Sequence, residues 1–182
     1  MGIISNLLKK KDSKVNKKEE NIHEKRKKLA EELSKFTNEM TLEEIRRAAK
    51  MQPNMPFFQD IKNKKEFLFR DRICMLAALM ASGDIEPINA CKEIIECADK
   101  GLKINPKSAY LLYFKGRSKG DIVLFKEGIE ILNQAAKIKP DYDDVYVERG
   151  YIKQKMGDIK GAEEDYKIAK KLDPHVTLPK TD

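Results

Sequence analysis

The sequence predicts an all-α protein, in which tandem helix–turn–helix repeats form a short α-solenoid behind N-terminal helices and a charged N-terminal arm. Three observations carry this. Apolar residues recur three and four places apart along most of the chain, the period of a helix with one buried face. Three segments end alike, Lys103-Ile104-Asn105-Pro106, Lys137-Ile138-Lys139-Pro140 and Lys171-Leu172-Asp173-Pro174, and the interval from proline to proline is the same both times. Finally, 41% apolar residues suffice for a core, while the absence of Trp, 7% aromatics and 37% charge suit helices with wide solvated faces. The closely spaced turn signals of a β-sandwich are missing.

The chain opens with Ile3, Ile4, Leu7 and Leu8 on one helical face, followed at once by Lys9, Lys10 and Lys11. Such a segment suits an anionic membrane surface, and a frayed terminus is the plainer reading. Gly2 does not make a myristoylation signal, because Asn6 stands where the acceptor pattern wants Ser or Thr. Between Lys9 and Lys28 ten basic residues face four acids, a surplus of six that is nearly the whole net charge of +7. The positive charge therefore belongs to an arm, residues 1–28, and not to a basic groove across the folded part. Residues 29–65 read as N-terminal helices. Leu29, Leu33 and Phe36 keep helical spacing, and Thr41 with Glu44 forms a capping box ahead of Leu42, Ile45, Ala48 and Ala49. Pro53 and Pro56 then interrupt the chain.

From residue 66 to 174 three units are expected, 66–106, 107–140 and 141–174, with a tail at 175–182. A helix from about Lys64 to Ser82 carries Phe67, Phe69, Ile73, Leu76 and Leu79, and Gly83-Asp84 ends it. Gly116 and Gly150 keep the same interval as the prolines, and so do Ala135 and Ala169. In the middle unit Gly120-Asp121 reads as an early turn, implying a shorter first helix and a longer second. In the last unit Gly157-Asp158 makes the turn and Pro174 stops the second helix. The tail is too short for a capping helix, so Val176 and Leu178 are expected to fold back over a flank carrying Ile152, Ile168 and Leu172, or else a second copy covers it.

The last unit resembles the tetratricopeptide repeat, whose period of about 34 residues is also the interval between the prolines. Tyr146, Gly150, Ala162, Tyr166 and Pro174 stand at five of the seven places of that family's pattern, and Arg149 and Lys153 replace its apolar Leu and Tyr. That replacement implies a wetter flank on the first helix. The middle unit keeps Gly116, Ala135 and Pro140, and the first keeps little beyond Ala98 and its ending, with Gly101 in place of the Ala. The resemblance implies a concave groove, lined by the first helices, that holds a partner's extended peptide or helix. By register the groove-facing residues are Tyr110, Tyr113, Arg117, Asp144, Val147, Tyr151 and Gln154. Some members of the family clamp a C-terminal carboxylate with Lys and Asn. The matching places here hold Tyr113, Arg117, Val147 and Tyr151, so binding of heat-shock chaperone tails is not expected.

The expected function is thus a protein-interaction module, an adaptor or co-chaperone-like scaffold. The alternative is a membrane-surface scaffold or a non-specific nucleic-acid binder acting through the arm. Lysines neutralise phosphates, but no aromatics are interleaved to stack bases, which disfavours nucleic acid. The chain carries no phosphate-binding loop, H-E-x-x-H or nucleophile elbow, so no enzyme, cofactor or metal is expected. Asp143-Asp144 and Glu163-Glu164-Asp165 read as solvated faces. Cys74, Cys91 and Cys97 read as buried reduced thiols, and the location as cytoplasmic or peripheral at a membrane. A homo-oligomer stays open.

Overall fold

The computed structural model describes residue 28, residues 39–52 and residues 55–179. Among these it contains seven α-helices and no strand. They are α1 (Leu42–Met51), α2 (Lys64–Ala81), α3 (Pro87–Ile104), α4 (Ala109–Asp121), α5 (Phe125–Ile138), α6 (Asp143–Lys155) and α7 (Ile159–Leu172), with a 3-10 turn at Pro56–Phe58 between α1 and α2. The pairs α2/α3, α4/α5 and α6/α7 are the three helix–turn–helix units, and each packs on the next. The apolar spacing at Leu29, Leu33 and Phe36 and residues 1–27 of the arm lie outside the described residues. No helix among the described residues is long and apolar enough to cross a membrane.

Local chemistry starts and stops these helices. Thr41 and Glu44 make the expected capping box, with Thr41 N–H donating to Glu44 Oε2 at 2.7 Å and Glu44 N–H to Thr41 Oγ1 at 3.3 Å. Asn63, Ser108 and Asp158 accept backbone N–H groups at the starts of α2, α4 and α7. Pro87 opens α3, where its missing N–H costs nothing. The three similar endings have the same backbone, since Asn105, Lys139 and Asp173 each donate to the carbonyl four residues back, with φ of −130°, −131° and −130°.

The second and third units are superimposable in register: α4 and α6 have 13 residues each and α5 and α7 have 14. This corrects the expected early turn at Gly120-Asp121. Both residues are helical, and the turn comes at Ile122–Leu124, with Val123 at φ +67° in the place that Gly157 takes at φ +83°. Gly120 is there for packing. A Cβ on it would lie 2.5 Å from Ile152 Cδ1. The first unit does turn at Gly83, φ +74°, between two longer helices of 18 residues.

Within the second and third units, two helix backbones meet where a side chain would not fit. A Cβ on Gly116 would come 2.8 Å from Leu132 Cγ and 3.1 Å from the Gly128 carbonyl. One on Gly150 would come 2.6 Å from Tyr166 Cε1 and 3.2 Å from the Ala162 carbonyl. Ala135 and Ala169 are fully buried, and Tyr146 and Tyr166 fill the spaces beside them.

Several expectations about flanks change. Arg149 and Lys153 do not make a wet flank but converge on Asp165, which is buried. Arg149 Nε is 2.9 Å from Asp165 Oδ2 and its Nη2 binds Oδ1, while Lys153 Nζ is 2.9 Å from Oδ2. Asp165 is therefore not a solvated face, although its neighbours Glu163 and Glu164 are exposed. Ile152 is buried against the preceding unit and not on the open flank, where Ile168 and Leu172 remain. The tail covers part of that flank: Val176 is buried, Leu178 packs on the same core, and Lys170 Nζ donates to the Val176 carbonyl at 2.6 Å. Cys91 and Cys97 are buried, but Cys74 is exposed.

A fully buried ion pair anchors the N-terminal segment. Arg70 Nε lies 3.0 Å from Glu66 Oε1, and its Nη1 donates to the carbonyls of Phe57 at 2.9 Å and Gln59 at 2.7 Å. Its Nη2 reaches Ser108 Oγ at 2.9 Å. Asn105 Nδ2 adds bonds to the Asp60 carbonyl and to Glu66. With both charges at 0% exposure, losing one partner strands the other.

Two outcomes are expected. Gly150→Leu should lower stability by roughly 1–3 kcal/mol or more through overpacking, and an unchanged melting temperature would disprove the close contact. Arg70→Met should cost about 3–5 kcal/mol in denaturant unfolding. Adding Glu66→Gln should recover part of that loss, because it removes the orphaned charge.

Candidate functional site

The seven residues assigned to the groove by register do not all present their side chains. Tyr110 is buried, with Phe57 of the 3-10 turn edge-on at 5.7 Å, Phe114 at 4.9 Å and the Arg70 guanidinium 5.3 Å from its ring. Tyr113 is buried between Phe114 at 5.0 Å and Tyr142 at 5.3 Å. Five of the six tyrosines are buried in this way, so their clustering in the repeats reflects packing; Tyr151 alone is half-exposed. Lys155 Nζ stands 5.2 Å from the Tyr151 ring. Gln154 accepts the Tyr166 hydroxyl at 2.8 Å, and Val147 packs half-buried on the core.

What remains accessible is the face shared by α4 and α6, which touch directly. Arg117 stands at its centre. Its Nε is 3.7 Å from Glu148 Oε2 and 3.9 Å from Asp121 Oδ2, one helical turn along α4. Asp144, one turn before Glu148 on α6, is exposed beside them. Three carboxylates therefore share one guanidinium. The Glu148 side chain is only 14% exposed. Burial raises its carboxyl from 4.5 to about 7, Arg117 pulls against that rise, and Asp121 and Asp144 add to it. Burial likewise raises Asp121 against the pull of Arg117.

Asp121 and Glu148 are the residues that reading by register misses. Asp121 reads in sequence as part of a turn. Glu148 is four residues after Asp144, a spacing that puts both on one helical face. Phe57 carries no signal, because its contact with Tyr110 joins segments distant in the chain. No cluster of three or more His, Cys, Asp or Glu that could hold a metal occurs among the described residues.

Residues 143–176 match the family model of the tetratricopeptide repeat. No similar sequence is found among curated proteins. Among solved structures the chain is similar to the first TPR of Spaghetti (RPAP3) bound to the HSP90 peptide SRMEEVD, with a TM-score of 0.53 and 18% identity over 65% of this chain and 86% of that one. The second TPR of Spaghetti, also bound to that peptide, gives 0.49 at 17% identity, covering 60% and 96%. MamA MSR-1 C2 gives 0.46 at 17%, covering 71% and 64%. The first of these likenesses establishes the fold as an all-α helical repeat of the tetratricopeptide type.

The Glu148 carboxyl makes stability depend on pH. Its folded value lies above its ordinary one, so the native state binds the proton more tightly between about 4.5 and 7. The stability this group contributes is present at low pH and is lost as pH rises through that window. Glu148→Gln should remove a fall of up to roughly 3 kcal/mol between pH 5 and pH 8. Urea unfolding of both proteins at the two pH values checks this, and identical slopes against pH would refute it.

Proposed function

We propose that this chain of tetratricopeptide-type repeats is a protein-interaction module that holds a partner's peptide along the α4–α6 face and reads a basic side chain there. The observation that carries the reading is the shortage of positive charge, with Asp121, Asp144 and Glu148 around the single Arg117. A Lys or Arg from a partner would supply the missing cation. Opposite charges brought together in a partly buried site also fix the register of the complex. Tyr151 offers a rigid aromatic surface beside them at low entropic cost.

The first Spaghetti domain holds SRMEEVD, a net-acidic peptide with three acids and one Arg. A tail of that charge would meet like charge on the α4–α6 face, which argues against a co-chaperone role through such a tail. The chain's own Phe57 already covers Tyr110, so the partner's contact is confined to the second and third units.

Selection from a random-peptide library on the parent protein should enrich Lys and Arg at one fixed position. Asp144→Lys should weaken the selected peptide at least about tenfold, a change of about 1.4 kcal/mol, in fluorescence anisotropy. Replacing the peptide's basic residue with Glu should restore binding to that variant. Enrichment of acidic peptides, or affinity indifferent to Asp144→Lys, would reject the reading.

A further inference from the structure

Glu148 is held unlike the buried carboxylates Glu66 and Asp165. Each of those lies under a guanidinium that donates two hydrogen bonds to it, Arg70 to Glu66 and Arg149 to Asp165. The Glu148 side chain is 14% exposed, yet it accepts no hydrogen bond from a described residue. Arg117 Nε stays 3.7 Å away, beyond the reach of a charge-assisted bond, and is shared with Asp121 at 3.9 Å.

The groups around this carboxyl come from four helices. α4 brings Arg117, Asp121 and Tyr113, whose hydroxyl lies beside Arg117. α6 brings Asp144 one turn before Glu148 and Tyr151 three residues after it, and α7 brings Tyr166. α3 adds the Cys91 thiol, 3.9 Å from Asp121 Oδ2. Burial raises Tyr113, Tyr166 and Cys91, so they keep their protons through the neutral range. Nearby lysines are engaged elsewhere: Lys115 with Asp99 at 2.7 Å, Lys119 with Glu127 at 3.0 Å, and Lys155 over the Tyr151 ring at 5.2 Å.

Two species can neutralise a carboxylate so placed, a proton or a cation seated within hydrogen-bond distance. In the free protein the desolvated group holds a proton part of the time near neutrality. A Lys or Arg side chain laid on the face would seat against the same oxygens, and an opposite charge there favours the ionised form. The carboxyl O–H bond then breaks, its electron pair stays on the carboxylate, and the proton passes to the buffer.

We infer, resting on the reading of the α4–α6 face as a peptide site, that a proton and the partner's basic side chain compete for Glu148, so that binding expels a proton and the complex loosens as the solution turns acidic. The probe is a histidine-free peptide with one Lys or Arg, taken from the random-library selection on the parent protein. Fluorescence anisotropy at constant ionic strength gives its Kd at pH 6 and pH 8, with circular dichroism showing the fold retained at both. From a free value of about 7 for Glu148, the parent's Kd should be about tenfold larger at pH 6 than at pH 8. Calorimetry at pH 6.5, in two buffers of unlike ionisation enthalpy, should count roughly half a proton or more released per peptide. Glu148→Gln mimics the protonated side chain, so its Kd should be the same at both pH values and close to the parent's at pH 6. Equal parent affinity at the two pH values, with Asp144→Lys still weakening the peptide, would overturn the inference and leave the peptide site in place. Glu148→Gln keeping the parent's pH dependence would overturn it too, since the proton would then sit elsewhere. The calorimetric count needs the parent alone, and zero protons released would decide against the inference even if the variant fails to fold. A selection that enriches no Lys or Arg would defeat the peptide reading itself, and this inference with it.

Discussion

The Arg70–Glu66 pair ties together three parts of the chain that are distant in sequence. A guanidinium and a carboxylate without access to water are tolerable only if every donor and acceptor finds a partner. Here those partners come from the 3-10 segment, from the end of α3 through Asn105 and from the start of α4 through Ser108. Satisfying one buried pair therefore fixes the N-terminal segment, the first unit and the entry to the second in one arrangement. The position of Phe57 over Tyr110, and with it the extent of the open α4–α6 face, follows from that arrangement.

Beyond the first unit, close backbone contact takes over from charge. Gly116 against Gly128 and Gly150 against Ala162 bring each helix pair to a separation that admits no side chain. That separation puts Ile152 over Gly120, and the same packing leaves Asp165 under Arg149 and Lys153. In the last unit an internal ion cluster thus takes the place of the apolar Leu and Tyr of the repeat pattern. The array uses buried charge at both ends, once to fasten the N-terminal segment and once to pack the final pair. On the α4–α6 face the charge excess is negative and partly desolvated, with Asp121, Asp144 and Glu148 around Arg117.

The sequence by itself determined the helical class, the repeat period, the capping box at Thr41, the turns at Gly83 and Gly157 and the small residues at helix contacts. All of these are local or periodic signals, in which a residue's own stereochemistry or its spacing from the next repeat dictates the outcome. It also placed Arg117, Asp144 and Tyr151 on helix faces that do remain accessible. The middle turn departs from expectation because Gly120 looks like a turn glycine, while its actual constraint is the side chain of Ile152 in the next unit. Only the tertiary structure decided that Tyr110 and Tyr113 are buried, that Asp165 is an internal counter-ion and that Glu148 faces Arg117. Helical period says which residues share a face. Whether that face meets water, an aromatic ring or an opposite charge depends on which other helix packs there, and that contact is set by residues far away along the chain.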